Sequence, residues 1–130
     1  MEQFPADLKY TREHEWAKVE DDGKVRMGIT WYAQDSLGDV LFVKLPDVGK
    51  HVSAGEAFAE VESSKAVSDI YAPVSGTVTG VNESLVEEPE RINQDPYGAG
   101  WIALIEPDDP QELEALMAAE DYRSFVEAEG

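Results

Sequence analysis

Lys65, set among carboxylates and small residues, is the group in this chain best placed to undergo chemistry. It sits at the centre of Glu60-Val61-Glu62-Ser63-Ser64-Lys65-Ala66-Val67-Ser68-Asp69-Ile70-Tyr71-Ala72-Pro73. Apolar residues recur on both sides of the polar centre, at Phe58 and Val61 before it and at Val67 and Ile70 after it. The flanks are short and partly β-branched, which predicts two strands, and Ser63-Ser64 supplies turn chemistry between them. The alternation is imperfect on both arms, which predicts partial burial on both faces. Lys65 then stands at or beside the tip of a β-hairpin with its ammonium in water. An exposed lysine is protonated at neutral pH and makes a poor nucleophile. A hairpin tip suits another role, that of substrate for a modifying enzyme, because the chain there can enter a second protein's cleft.

Few other chemistries are open to this composition. There are no cysteines, which excludes disulfides, thiolate catalysis and cysteine-based metal sites. Two histidines, His14 and His51, are too few and too scattered for a dedicated zinc site. No Ser-His-Asp set and no phosphate-binding loop is visible, so neither a catalytic residue nor a metal ligand is assigned. The net charge of −18 argues against nucleic acid, whose phosphates would be repelled. That acidity has two readings, steering toward basic partner surfaces and a demand for solubility.

A length of 130 residues, with 42% hydrophobic content, predicts one domain, 1–130, with a modest core. No apolar run is long enough to span a membrane. The start, Met1-Glu2-Gln3-Phe4-Pro5, lacks the basic and apolar regions of a signal peptide, so the expected compartment is the one where the chain is made.

The elements that must position Lys65 follow from the pattern around it. Trp16–Val19 and Val25–Ile29 predict a hairpin about Asp21-Asp22-Gly23, with Val25, Met27 and Ile29 on one buried face. Thr30 is placed to cap a two-turn helix containing Trp31, Gln34 and Leu37, which Gly38 ends in a left-handed conformation. Val40–Leu45 predicts a buried strand stopped by Pro46. After the lysine hairpin a strand from Thr77 to Val81 is expected, then a charged surface loop over Glu87–Arg91 and a longer turn over Asn93–Gly100. Trp101–Ile105 predicts the closing strand. The two halves about Lys65 share a strand, a turn rich in Gly or Pro and a second strand, a pattern of paired small sheets. Asp109, Pro110 and Glu112 predict a capped helix with a capping box. The stripes Leu113-Leu116-Met117 and Tyr122-Phe125-Val126 are out of register, which predicts two short helices.

The stretch Glu62-Ser63-x-Lys65-Ala66, followed by Ser68-Asp69-Ile70-Tyr71-Ala72-Pro73-x-Ser75-Gly76, resembles the lipoyl-attachment hairpin of the glycine cleavage system H-protein family. The resemblance runs almost end to end. It takes in Leu8-Lys9-Tyr10, His14-Glu15-Trp16, Gly28-Ile29-Thr30, Ala33-Gln34, Leu37-Gly38-Asp39, Phe42-Val43, Leu45-Pro46, Asn93-x-x-Pro96-Tyr97 and Gly100-Trp101. Departures lie at Trp31-Tyr32 and Ser36. Trp31 is read as a core or capping aromatic, the alternative being that it reshapes a surface seen by a partner. A biotin carrier would place Met on both sides of the lysine, where this chain has Ser64 and Ala66.

The resemblance implies a mainly β fold, a barrel-sandwich hybrid of two small antiparallel sheets with one short internal helix and C-terminal helices. It implies carriage rather than catalysis, by lipoate in amide linkage on Lys65. The cargo is an aminomethyl group passed from glycine decarboxylase to aminomethyltransferase, with dihydrolipoamide dehydrogenase reoxidising the dithiol. A lipoate ligase or octanoyltransferase is the implied modifying enzyme, and the carrier is implied to be monomeric. The implied compartment is the bacterial or archaeal cytoplasm, or the mitochondrial matrix for a mature eukaryotic form. An H-like carrier serving lipoate relay or sulfur oxidation is the alternative.

Two further roles attach to acids. Glu62, three residues before Lys65, is expected to be recognised by the lipoate-attaching enzyme, the alternative being a solvated strand charge. An aminomethyl group on a dihydrolipoyl sulfur is cationic, so shielding it from water needs an anion nearby. The resemblance points to Glu15 and Asp69 as that lining of the arm cleft, with Glu13 beside them. Solvated strand carboxylates are the alternative, with Trp16 expected to wall the groove.

Overall fold

The computed structural model describes residues 3–129. Among these residues nine strands and four α-helices form in the order β1 Lys9–Tyr10, β2 Glu15–Val19, β3 Val25–Ile29, α1 Trp31–Leu37, β4 Val40–Lys44, β5 His51–Val52, β6 Ala57–Ser63, β7 Val67–Tyr71, β8 Gly76–Val81, α2 Ser84–Glu87, α3 Arg91–Gln94, β9 Ala103–Pro107 and α4 Ala119–Glu129, with a 3-10 turn at Pro110–Ala115 before α4. The strands build a six-stranded sheet, β1-β2-β3-β9-β8-β5, and a three-stranded sheet, β4-β6-β7. All named strand pairs are antiparallel. The paired sheets are therefore present but unequal in size.

The β2–β3 hairpin forms where expected. Gly23 takes φ of 87° at its turn, and Asp22 accepts a hydrogen bond from the Lys24 amide. Val25, Met27 and Ile29 point into the core between the sheets, where they meet Val43, Val61 and Ile70 from the smaller sheet and Val78 and Ile105 from the larger. Burying each such side chain contributes roughly 1.5–3 kcal/mol. A second cluster, Leu8, Tyr10, Trp16, Tyr122 and Val126, packs α4 onto the first two strands.

Several expectations need correcting. β4 is half exposed rather than buried: Leu41 and Phe42 are 59% and 52% accessible. The register of β4 on β6 shifts between Val40 and Phe42, so the alternation of faces breaks there. Val67 is also exposed, lying opposite Glu62 on the outer face of the small sheet. The charged loop expected over Glu87–Arg91 shortens to residues 88–90, between two helices the pattern did not predict. These are α2 and α3, whose Leu85 and Ile92 are fully buried, and four-residue helices are too short to show a period. The closing strand begins at Ala103 rather than Trp101, because the Asn82 amide takes the carbonyls of Ala99 and Trp101 at 2.8 Å each.

The end of the chain also departs in detail. Asp109 caps through the Gln111 amide and Pro110 follows it, but Glu112 makes no capping box. Its carboxylate instead accepts from the Ser75 amide and hydroxyl, at 2.7 and 3.2 Å. The two expected C-terminal elements are separated by Met117, whose backbone bridges Tyr10. Gly38 ends α1 at φ 78°, as its position requires, yet its ψ of −154° lies outside the left-handed helical region.

Candidate functional site

β6 and β7 form the lysine hairpin. Val61 and Ile70 anchor its arms in the core, while the tip carries Ser64, Lys65 and Ala66 into solvent. One side chain shapes the turn. The buried Ser63 hydroxyl oxygen accepts from the amides of Lys65 and Ala66, both at 3.1 Å, and its proton points to the Ala66 carbonyl at 3.2 Å. The Ser63 amide closes the turn onto the same carbonyl at 2.8 Å. Of the two serines expected to supply turn chemistry, Ser63 makes the turn. Ser64 ties it to the body of the protein, donating its amide to the Asp39 carbonyl at 3.2 Å.

Lys65 is exposed, and its methylenes pass over Gly38, with Cε 3.5 Å from where a Cβ there would stand. Among the described residues no carboxylate pairs with its ammonium. Under Gly38 lies a residue to which the sequence pattern gave no role, Asn93 of α3. Its side-chain amide donates to the Gly38 carbonyl and to Gln34 Oε1, and its oxygen accepts from the Val40 amide. The only signal was its place in Asn93-x-x-Pro96-Tyr97.

The acids are spread over different environments. Glu62 is exposed on the outer face of the small sheet, in register between Phe42 and Val67. Glu15 is 1% exposed. Its Oε1 accepts from the Thr11 hydroxyl at 2.6 Å, and its Oε2 accepts from the Tyr71 amide of β7 at 3.2 Å. Burial pushes this carboxyl up to about 7, although both hydrogen bonds oppose the shift, and the charge of Glu13 adds to the upward push. Glu13 itself is exposed. Asp69 is exposed opposite Glu60 and borders a concavity of about 260 Å³ lined also by Lys44, Lys50, Phe58 and Glu60. Glu15 is not among the residues lining that concavity. The structure thus brings Glu15 to the strand that carries Asp69, and Glu13 near Glu15, without gathering all three in one open cleft.

Two aromatic expectations change. Trp16 walls no groove: it is fully buried and donates its indole N–H to the Pro96 carbonyl at 2.9 Å. Trp31 is only partly buried at the start of α1 and belongs to neither core cluster. Its own amide donates to the Tyr97 hydroxyl at 2.9 Å.

Two antiparallel sheets closed over one core, with a lysine held out on a hairpin tip, define a carrier domain of the barrel-sandwich class. The comparisons name the kind. The family model described as Glycine cleavage H-protein matches residues 8–129. A glycine cleavage system H protein of Halorhodospira halophila is 55% identical over 130 residues, spanning 100% of both chains. One of Coprothermobacter proteolyticus is 56% identical over 119 residues, 92% of this chain and 94% of that one. The crystal structure of a glycine cleavage system H protein from Mycobacterium marinum matches with a TM-score of 0.85 at 46% identity, covering 92% of this chain and 96% of that one. The chain belongs to the glycine cleavage H-protein family, the lipoyl carriers of the glycine cleavage system. No helix among the described residues is long and apolar enough to cross a membrane.

Proposed function

We propose that Lys65 is the lipoyl attachment point. In this reading the chain, itself not a catalyst, carries the aminomethyl group from glycine decarboxylase to aminomethyltransferase and presents its dithiol to dihydrolipoamide dehydrogenase. The observation that carries this is the pairing of an exposed, unpaired Lys65 ammonium with a turn whose backbone is fixed by Ser63. The residues fit an amide-linked arm: the tip is narrow, and no carboxylate among the described residues has to be displaced. Bound lipoate supplies a disulfide–dithiol couple at the end of a long chain. The protein supplies the fixed base of that arm and the high local concentration that favours each visit to an active site.

The acids have supporting roles in the same reading. Glu62, on the outer face next to the tip, is recognised by the lipoate ligase or octanoyltransferase. Asp69, exposed on β7, forms the acidic side of the region the arm folds against, and Glu15, buried beneath that strand with Glu13 nearby, supports the strand rather than facing the arm. Glu15 holds the Tyr71 amide there and keeps a proton available near neutral pH. The curated relatives named above are bacterial, which supports a cytoplasmic site of action.

The test is intact-mass analysis after incubation with purified lipoate ligase, ATP and lipoate. Wild type is expected to gain one lipoyl group, Lys65→Arg none while staying folded, and Glu62→Gln one at a reduced rate. Lipoyl mass on Lys65→Arg would refute the attachment point. A normal rate for Glu62→Gln would leave Glu62 as a solvated strand charge.

A further inference from the structure

The lysine turn leans on the junction between α1 and β4. Its three tip residues are exposed, so packing does not fix them. Ser63 sets the internal shape of the turn, and a separate contact sets its attitude to the rest of the molecule. That contact is the hydrogen bond from the Ser64 amide to the Asp39 carbonyl, and the Lys65 methylenes lie over Gly38 beside it. Gly38 holds φ at 78°, where a side chain would bring both strain and bulk beneath the lysine.

The Gly38–Val40 segment is itself irregular, since the β4 ladder shifts register immediately after Val40. Asn93 spans it. Nδ2 donates to the Gly38 carbonyl at 2.8 Å and to Gln34 Oε1 at 3.0 Å, while Oδ1 accepts from the Val40 amide at 2.8 Å. One planar amide therefore fixes the residues on either side of Asp39, whose carbonyl anchors the turn.

Given Lys65 as the attachment point proposed above, we infer that Asn93 is a positioning residue for the modification of Lys65. It touches neither the lysine nor the incoming acyl group. It acts through the Gly38–Val40 segment, holding the turn in the one attitude in which a modifying enzyme takes the lysine. In that step Lys65 Nζ forms an amide bond with the carbonyl carbon of an activated lipoyl group, a mixed anhydride of lipoate and a phosphate, and the acyl C–O bond to that phosphate breaks. The phosphate leaves with the bonding electrons, and the starting ammonium gives up two protons to solvent. Such attack tolerates little misplacement, since about 1 Å can cost about a hundredfold in rate. A turn that holds the right attitude only part of the time is also taken more weakly in proportion.

The experiment follows lipoate incorporation by purified ligase, with ATP and lipoate, into wild type, Asn93→Ala and Asn82→Ala. Asn82 is a matched control. It also spans two carbonyls, of Ala99 and Trp101, but touches nothing in the Gly38–Val40 segment. Asn93→Ala is expected to lower kcat/KM for the carrier by about ten- to a hundredfold. The amides of Ser64, Lys65 and Ala66 should exchange with solvent faster in that variant, while those of β3 and β9 stay protected. Asn82→Ala should lose stability yet be modified at the wild-type rate. Wild-type rates for Asn93→Ala, or equal slowing in both variants, would overturn the inference. Where Asn93→Ala does not fold, Asn93→Asp takes its place with the same readouts, since it keeps the acceptor for Val40 and loses both donors. Wild type that accepts no lipoate at all would overturn the attachment at Lys65 instead.

Discussion

Glu15 is a carboxyl held inside the protein with both oxygens bonded, and its titration couples to folding. Its ordinary value of 4.5 is raised to about 7 by burial. Between these two values the unfolded chain gives up the proton while the folded chain keeps it, so stability falls as pH rises. Below 4.5 both states are protonated and nothing is lost; above about 7 the full penalty, on the order of 3 kcal/mol, applies. Glu15→Gln cannot ionise and keeps an acceptor for the Tyr71 amide. In urea denaturation its advantage over wild type should grow by about 2–3 kcal/mol between pH 5 and pH 8. Parallel pH profiles for the two proteins would contradict this. The proposed acidic lining has a separate test with Glu15→Gln and Asp69→Asn, lipoylated and loaded from glycine. Asp69→Asn should release ammonia about ten- to a hundredfold faster than wild type without partners, if a charge-assisted contact of about 1.5–3 kcal/mol is lost, and Glu15→Gln, whose carboxyl is buried, should change the rate less. A wild-type release rate for Asp69→Asn would remove Asp69 from that role. The exposed hairpin tip that carries Lys65 was legible in the sequence because small turn residues and β-branched flanks surround it. The burial of Glu15 was not, because an acid at a strand start reads as solvated until a distant strand, here β7, closes over it.

At the scale of elements, the C-terminal helix is the piece that ties the larger sheet to α1. Tyr122 of α4 stacks on Tyr10 with ring centroids 4.6 Å apart, and its hydroxyl meets the Thr30 hydroxyl at 2.7 Å and His14 Nδ1 at 2.8 Å. Thr30 is the cap of α1, and His14 sits at φ 71° in the corner between β1 and β2. One hydroxyl thus joins three elements that are far apart in sequence. Tyr122→Phe keeps the stack and removes the hydroxyl from a buried network, at a cost of about 1–2 kcal/mol. The expected result is a lower denaturation midpoint with an unchanged rate of lipoylation, because the lysine turn is held by other contacts. A variant with wild-type stability would show that water replaces the hydroxyl. The two apolar stripes near the end were legible as separate elements, since their phases disagree. What separates them, the backbone bridge from Met117 to Tyr10, has no sequence pattern of its own. α2 and α3 were missed for a related reason: each is one turn long and is made by packing Leu85 and Ile92 into the core.

At the scale of the whole molecule, charge is the remaining variable. The chain carries −18, and the proposed acylation of Lys65 would remove one more positive charge. Acids crowd the surface around the lysine hairpin. Glu60, Glu62 and Asp69 lie on the strands of the lysine hairpin, and Asp39, Glu87 and Glu90 border the neighbouring concavity, which has no basic residue in its lining. Lys44 and Lys50 line the concavity beside Asp69, but acids outnumber bases around the lysine hairpin, which favours steering over a uniform demand for solubility. Steered association gains about ten- to a thousandfold in rate at low salt and loses it as the Debye length contracts from about 30 Å at 0.01 M to about 3 Å at 1 M. Stopped-flow mixing of the lipoylated carrier with its cognate aminomethyltransferase should therefore show an association rate that falls at least about tenfold between 0.01 and 0.5 M salt. The dissociation rate should change much less, since exposed charges act mainly on encounter. An association rate independent of salt would assign the acidity to solubility alone, and would leave both the fold and the role of Lys65 as they stand.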